Sequence, residues 1–218
     1  QKVFCKISSA ITMVSMSDME DRFPGFDPAK DVMLTPSAMR GLVNPLRLRL
    51  LDLLQAAGPS TATELGRRIG QSTGVTSYHL RVLAQHGFIV EDPDRGNDRD
   101  RWWRAVHRST SFSFRVPGDP PSPETVDQAE QFIRLNAEES HRRVIGWVDT
   151  LSSRIDELAE APWTVSDWPL TLTPEQAREV VATVRELMAR FARDPGGEAS
   201  DPGALRVHAQ FQLFPDAP

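Results

Sequence analysis

Between residues 36 and 108 apolar positions recur at helical spacing, punctuated by glycine and proline. A short helix is predicted to open at Thr35-Pro36 and to carry Met39, Leu42 and Val43. Asn44-Pro45 starts a second, because Asn caps a helix well and Pro suits its first position. Leu46, Leu50, Leu53 and Leu54 repeat along it, with Arg47 and Arg49 facing outward, until Gly58-Pro59 stops it. Thr63 is expected to cap a short third helix whose apolar face is Leu65 and Ile69. Gly70 breaks that helix, since only Gly takes a left-handed helix end cheaply. After Gln71-Ser72 a fourth helix runs from about Thr73 to His86, its inward face Thr76, Leu80 and Leu83, and Gly87 ends it. Two helices joined by a tight Gly-containing turn are a helix-turn-helix pattern.

The period then changes. Phe88-Ile89-Val90-Glu91 predicts a strand, Asp92 to Asp100 a polar turn-forming loop, and Arg101 to Val106 a returning strand, the outline of a wing. Trp102 and Trp103 point to opposite faces of that strand, so at least one belongs to the core. Pro117 to Pro123 reads as a linker. Residues 124–160 then form one long helical pattern. Val126, Ala129, Ile133, Ala137, Val144, Val148, Leu151, Ile155 and Leu158 fall largely on one stripe, which Phe132, Leu135, Ile145 and Trp147 widen. So wide a stripe is expected to pack on a second subunit as well as on its own chain, and Val144, Val148, Leu151, Ile155 and Leu158 are assigned to the dimer interface. Trp168 to Leu172 and Val207 to Phe214 are expected to form a short β pair around a helix from Ala177 to Phe191.

The fold class read from this pattern is mainly α with small β (α+β). It places a winged helix-turn-helix domain at residues 31–116, a linker at 117–123, and a helical dimerisation region with a short β pair at 124–218. Residues 1–30 hold all three lysines of the chain and are expected to be a poorly ordered leader.

Charge changes the picture once it is divided by region. The net charge is −5, yet residues 36–108 hold eleven Arg against seven Asp and Glu, a balance of +4. Residues 109–218 hold ten Arg against eighteen acids, or −8. Screening acts over roughly 8–10 Å at ordinary salt, so the local balance governs phosphate affinity and favours nucleic acid at the motif. Cys5 is the single cysteine, which excludes an internal disulfide and a multi-cysteine metal site. No apolar run approaches a membrane span, and the cytoplasm is the expected location.

Residues 33–108 resemble the ArsR/SmtB-like winged-helix regulators. The resemblance is carried by Asn44-Pro45-Leu46-Arg47-Leu48-Arg49-Leu50-Leu51, the turn through Gly70, Thr76-Ser77-Tyr78-His79-Leu80-Arg81-Val82-Leu83, and Gly87-Phe88-Ile89-Val90. It implies a homodimeric repressor or activator, taken here as a repressor, that binds an imperfect palindrome in double-stranded DNA. Known members sense metals through cysteine or histidine clusters, and this chain departs there, with no cysteine on the matching helices. No metal and no cofactor is therefore expected.

A recognition helix must offer short polar groups to base edges in the major groove. Ser72, Thr73, Thr76, Ser77, Tyr78 and Arg81 are the candidates on the fourth helix, with Arg81 placed for the backbone. Gly74 removes bulk where the helix approaches DNA. Arg95, Arg99 and Arg101 would bring the wing onto a phosphate or into the minor groove. His79 is read as a packing or hydrogen-bonding residue. Trp147, Trp163, Trp168, Phe132 and Phe191 would line the pocket of a small-molecule effector or, on the favoured reading, form core.

A catalytic reading finds no phosphate loop, nucleophile elbow or metal-protease motif, so the chain is not expected to be an enzyme. The alternative is a winged-helix protein-interaction module with no DNA role, and the concentration of Arg on the motif separates the two.

Overall fold

The computed structural model describes residues 26–27, 29–95, 100–112, 122–156, 163–192 and 207–215. Most of the expected leader, most of the linker, the wing tip with Arg99, and Leu158 lie outside the described residues.

Four helices build the first half: α1 (Pro36–Leu42), α2 (Pro45–Ala57), α3 (Ala62–Ile69) and α4 (Thr73–Gln85). Each begins where a short polar side chain satisfies backbone donors left unpaired at a helix start. Thr35 accepts from the Ala38 amide, Asn44 from those of Leu46 and Arg47, and Ser72 from that of Val75. The cap of α3 is Thr61 rather than Thr63: Thr61 and Glu64 form a capping box, each side chain holding the other's amide. Gly70 ends α3 in the left-handed region at φ 69°. Gly66 is needed for a different reason, because a Cβ there would lie 2.7 Å from the Gln71 carbonyl oxygen and 2.9 Å from the Thr76 hydroxyl. That absence of a side chain lets α3 and α4 close on each other.

The wing is a three-stranded sheet in the order β2 (Ser60–Thr61), β4 (Trp102–Ala105), β3 (Ile89–Glu91), all antiparallel. Ile89 faces Ala105 and Glu91 faces Trp103. Trp103 is buried and Trp102 half-buried, as the alternation requires. A second, parallel pair was not foreseen: β1 (Asp31–Met33) lies beside β5 (Ser109–Ser111). It is clamped by a buried ion pair in which Arg108 donates to both Asp31 carboxylate oxygens, at 2.9 and 3.0 Å. Burial raises the Asp31 carboxyl, but the bonds from Arg108, the Asp27 amide and Ser109 outweigh it and hold the group below its ordinary value.

One core runs through this half. Met39, Leu42, Leu50, Leu54, Leu65, Leu80, Leu83 and Ile89 are all essentially inaccessible to water. The long helix α5 (Pro123–Val148) joins it through Ala129 and Phe132, with Phe132 edge-on to Phe112. Further along, α5 is fastened to α2 by charge. Arg49 makes three hydrogen bonds of 2.7–3.0 Å to buried Glu139, and Arg142 adds a fourth of 2.7 Å. Burial raises Glu139, and the Arg49 and Arg142 bonds overcome it and hold it below the usual range. Arg143 reaches Asp52 at 2.9 Å, where burial dominates and leaves that carboxyl raised.

Two expectations for the C-terminal half are corrected. The helix expected over 124–160 ends at Val148, and a 3-10 turn follows at Leu151–Ser153. The Asp149 amide closes the last turn on the Ile145 and Trp147 carbonyls, so the spacing runs unbroken in the sequence while the helix is interrupted, with helical backbone returning at Ile155. The expected β pair is not formed: residues 163–173 and 207–215 carry no strand, although the helix between them is present as α6 (Pro174–Phe191). Among the described residues the two sheets above are the only ladders.

Candidate nucleic-acid interface

The outward face of α4 and the base of the wing enclose one shallow groove. Thr63, Thr73, Ser77, Arg81, Asp100 and Arg101 line it, with Trp103 at its floor. Ser72 and Thr73 are exposed on the first turn of α4, and Tyr78 stands 59% exposed with its ring edge-on to His79. Ser77 is half-buried in the groove wall. Arg81 is exposed, with no ion-pair partner among the described residues. A Cβ on Gly74 would meet nothing within 4 Å, so no contact inside the chain demands glycine there.

Thr76 does not belong to this face. It is fully buried, and its hydroxyl donates to the Ser72 carbonyl at 2.9 Å. It stands one turn before Leu80, so it shares that residue's inward direction and cannot reach a ligand.

The wing arginines differ among themselves. Arg95 is exposed and 3.8 Å from Asp92. Arg101 bonds Glu91 at 2.8 Å and lies over the Trp103 ring at 5.9 Å, which aims it along the groove. Thr63 was missed from the sequence because it was taken as the cap. With Thr61 in that role the Thr63 hydroxyl faces α4 instead and accepts from that of Thr73 at 3.5 Å. The pairing Thr61-x-x-Glu64 is the signal that could have shown this.

Behind α4, Arg47 donates to the Arg40 and Val43 carbonyls at 3.1 and 3.3 Å, covering the open end of α1. Burial, and then the Arg47 charge, lower the His79 imidazole below its ordinary value, so it stays neutral near pH 7. No group of metal-ligating side chains occurs among the described residues.

This arrangement can meet a polyanion: short hydroxyls and one exposed guanidinium on a protruding helix, and a second guanidinium beside it. Residues 42–92 match the family model described as a helix-turn-helix domain. The chain carries a winged helix-turn-helix domain. Over 57 residues it is 40% identical to an uncharacterized HTH-type transcriptional regulator, YcgE, of Bacillus subtilis (strain 168), a stretch that is 26% of this chain and 36% of that protein. Among solved structures it is similar to the homodimeric winged helix-turn-helix DNA-binding domain Mb0332 from Mycobacterium bovis, a possible ArsR-family transcriptional regulator. That match has 19% identity and a TM-score of 0.30, covering 48% of this chain and 77% of that one. Disulfide-formed AbfR is similar at 13% identity and a TM-score of 0.27, over 57% of this chain and 84% of that one. The winged helix-turn-helix recognition made from the sequence is thus borne out, and so is the α+β fold class. No described helix is long and apolar enough to cross a membrane.

Proposed function

We propose that the chain is a homodimeric, sequence-specific DNA-binding transcriptional regulator that acts in the cytoplasm as a repressor at an imperfect palindrome. The observation that carries this reading is the face of α4, where Thr73, Ser77 and Arg81 line a groove completed by Arg101, and where the cap Ser72 and Tyr78 are exposed. Ser and Thr hydroxyls read base edges, and the arginines hold phosphates. Arg95 and Arg99 extend the phosphate contacts along the wing.

A single winged helix reads too few base pairs to select a genomic site, whereas two copies about 34 Å apart read a palindrome. The exposed Val144, Val148 and Ile155, with half-buried Leu151, support self-association. Repression follows from a dimer occupying promoter DNA. The ion pairs joining α2 to α5 give a small-molecule or protein signal a route from the C-terminal half to the reading helix.

A mobility shift with the protein's own promoter, titrated with salt, tests this. Arg81→Ala should weaken binding to every sequence and reduce the salt slope by about one. Ser77→Ala should cost about 1–3 kcal/mol on the cognate site and little on random DNA. Absence of salt-dependent binding to any duplex would leave the protein-interaction module as the reading.

A further inference from the structure

Arg143 and Trp147 are four residues apart on α5, hence on one face and one turn apart. Arg143 Nη1 donates to Nε2 of His208 at 2.5 Å while its Nη2 holds Asp52 of α2. Trp147 meets Trp163 edge-on, with ring centroids 5.2 Å apart. The two segments patterned as strands, 168–172 (within the stretch 163–172) and 207–214, are therefore both tethered to the same end of α5. Their alternation is intact: Trp168, Leu170 and Leu172 share one parity, and Val207, Ala209, Phe211 and Leu213 another. Neither has a ladder partner among the described residues. Their rings stand in solvent, Trp163 at 56%, Trp168 at 74%, Phe211 at 48% and Phe214 at 72% exposed.

We propose that these two segments build an intermolecular β-sheet, residues 207–214 of one copy pairing with residues 163–172 of a second copy of this chain. The proposal rests on the homodimer reading and specifies where the copies meet.

Area, charge and symmetry select a second copy as the occupant. The four rings leave on the order of 500 Å² uncovered, close to the largest apolar patch of an ordinary monomer at about 300–600 Å². Val144, Ile145, Val148 and Ile155, also exposed, bring the surface to the roughly 800 Å² per partner of a standard interface. Residues 109–218 are strongly acidic, so copies of that half repel over most of their surface. These segments are the exception: 163–172 has one carboxylate, Asp167, and 207–214 has no Asp, Glu, Lys or Arg. Pro169 lacks a backbone donor and suits the first segment to a sheet edge, needing a neighbour on one side. A two-fold axis makes the pairing twice and leaves neither copy with an unmatched strand, which a foreign peptide would not achieve.

The test uses the full chain with Cys5→Ser, so that an introduced cysteine is the sole thiol. Thr171→Cys and Gln212→Cys are placed in separate preparations, one labelled with heavy nitrogen, then mixed and oxidised. Mass spectrometry is expected to find a 171–212 disulfide joining one labelled and one unlabelled chain; failure to form it overturns the proposal. A backbone test runs beside it, since Pro removes a ladder donor without removing apolar surface. By sedimentation Ala209→Pro should weaken dimerisation at least tenfold with unchanged helix content, while Ala209→Val retains the dimer. A dimer indifferent to Ala209→Pro overturns the strand pairing and leaves the homodimeric regulator standing. An unmodified chain that sediments as a monomer at all concentrations overturns both.

Discussion

Residues 31–112 and residues 122–215 treat their apolar side chains in opposite ways. In the first stretch Leu50, Leu54, Leu65, Leu80, Leu83 and Ile89 are sealed from water, and the exposed large residues are Val75, Tyr78 and Val90. In the second, Ala129 and Phe132 reach the core, while a series from Val126 to Phe214 faces solvent. Amphipathic α6 has no buried residue. The difference teaches that a pattern can dictate secondary structure without supplying the surface that covers it. Among the described residues the winged half supplies most of both sides of its core, whereas the C-terminal half, apart from Ala129 and Phe132, shows one side.

The sharpest way to break that contrast is to open a cavity in each half. Leu80→Ala should lower the unfolding free energy by about 2–5 kcal/mol in urea denaturation. Phe191→Ala, removing a larger but 73% exposed ring, should stay within about 0.5 kcal/mol. Equal losses would mean that α6 has a hidden core of its own.

Val148→Glu with Leu151→Glu asks whether the exposed side is covered by a second copy. Two charges in an apolar contact cost several kcal/mol, of order 2–7 for each desolvated polar group, whereas in a monomer most of that charge meets water. The expected outcome is unchanged circular dichroism, a monomer in sedimentation, and operator affinity that falls far more than affinity for random DNA. A variant that stays dimeric and binds tightly would move the interface to another surface.

The junction between the halves comes next. Glu139→Gln leaves Arg49 and Arg142 without their carboxylate and should cost about 3 kcal/mol. Glu139 and Asp31 both titrate below their ordinary values of 4.5 and 3.8 in the fold. The unfolded chain therefore binds protons first as pH falls. Their stabilisation is complete above about pH 4.5 and is lost as pH drops through the folded values. In an acid titration of stability Glu139→Gln should flatten this decline, and a parallel, unflattened curve would remove Glu139 from the junction. A smaller effect than at the junction is expected at the leading edge. A chain starting at Asp31 loses the Asp27 amide bond to the Asp31 carboxylate and the Lys30 carbonyl that receives Arg108, about 1 kcal/mol in thermal melting.

Much of the winged half was legible because its signals are local. Asn44-Pro45, Gly58, Gly70 and Gly87 mark boundaries that backbone stereochemistry imposes on any chain. Thr76 shows where the candidate site failed: its phase with Leu80 already placed it inward, and a polar side chain was taken as evidence of exposure. The β1–β5 pair was illegible because three-residue strands lack a readable period and find each other across the whole domain. Leu151 and Ile155 kept helical spacing beyond Val148, so the end of α5 was hidden. The C-terminal strand pattern was read as an internal pair because alternation says that a ladder is wanted and not whose strand completes it.

The β1–β5 pair sets when the domain can form. Parallel strands need a long crossover, and here the crossover is everything between Met33 and Ser109. Arg108 and Asp31, 77 positions apart, close the chain into a ring only after β5 has left the ribosome. Contacts of such separation form slowly, since the loop must close before they contribute. During synthesis the helices α1 to α4 can collapse first, and the clasp that seals them arrives last, just before the acidic half begins to emerge.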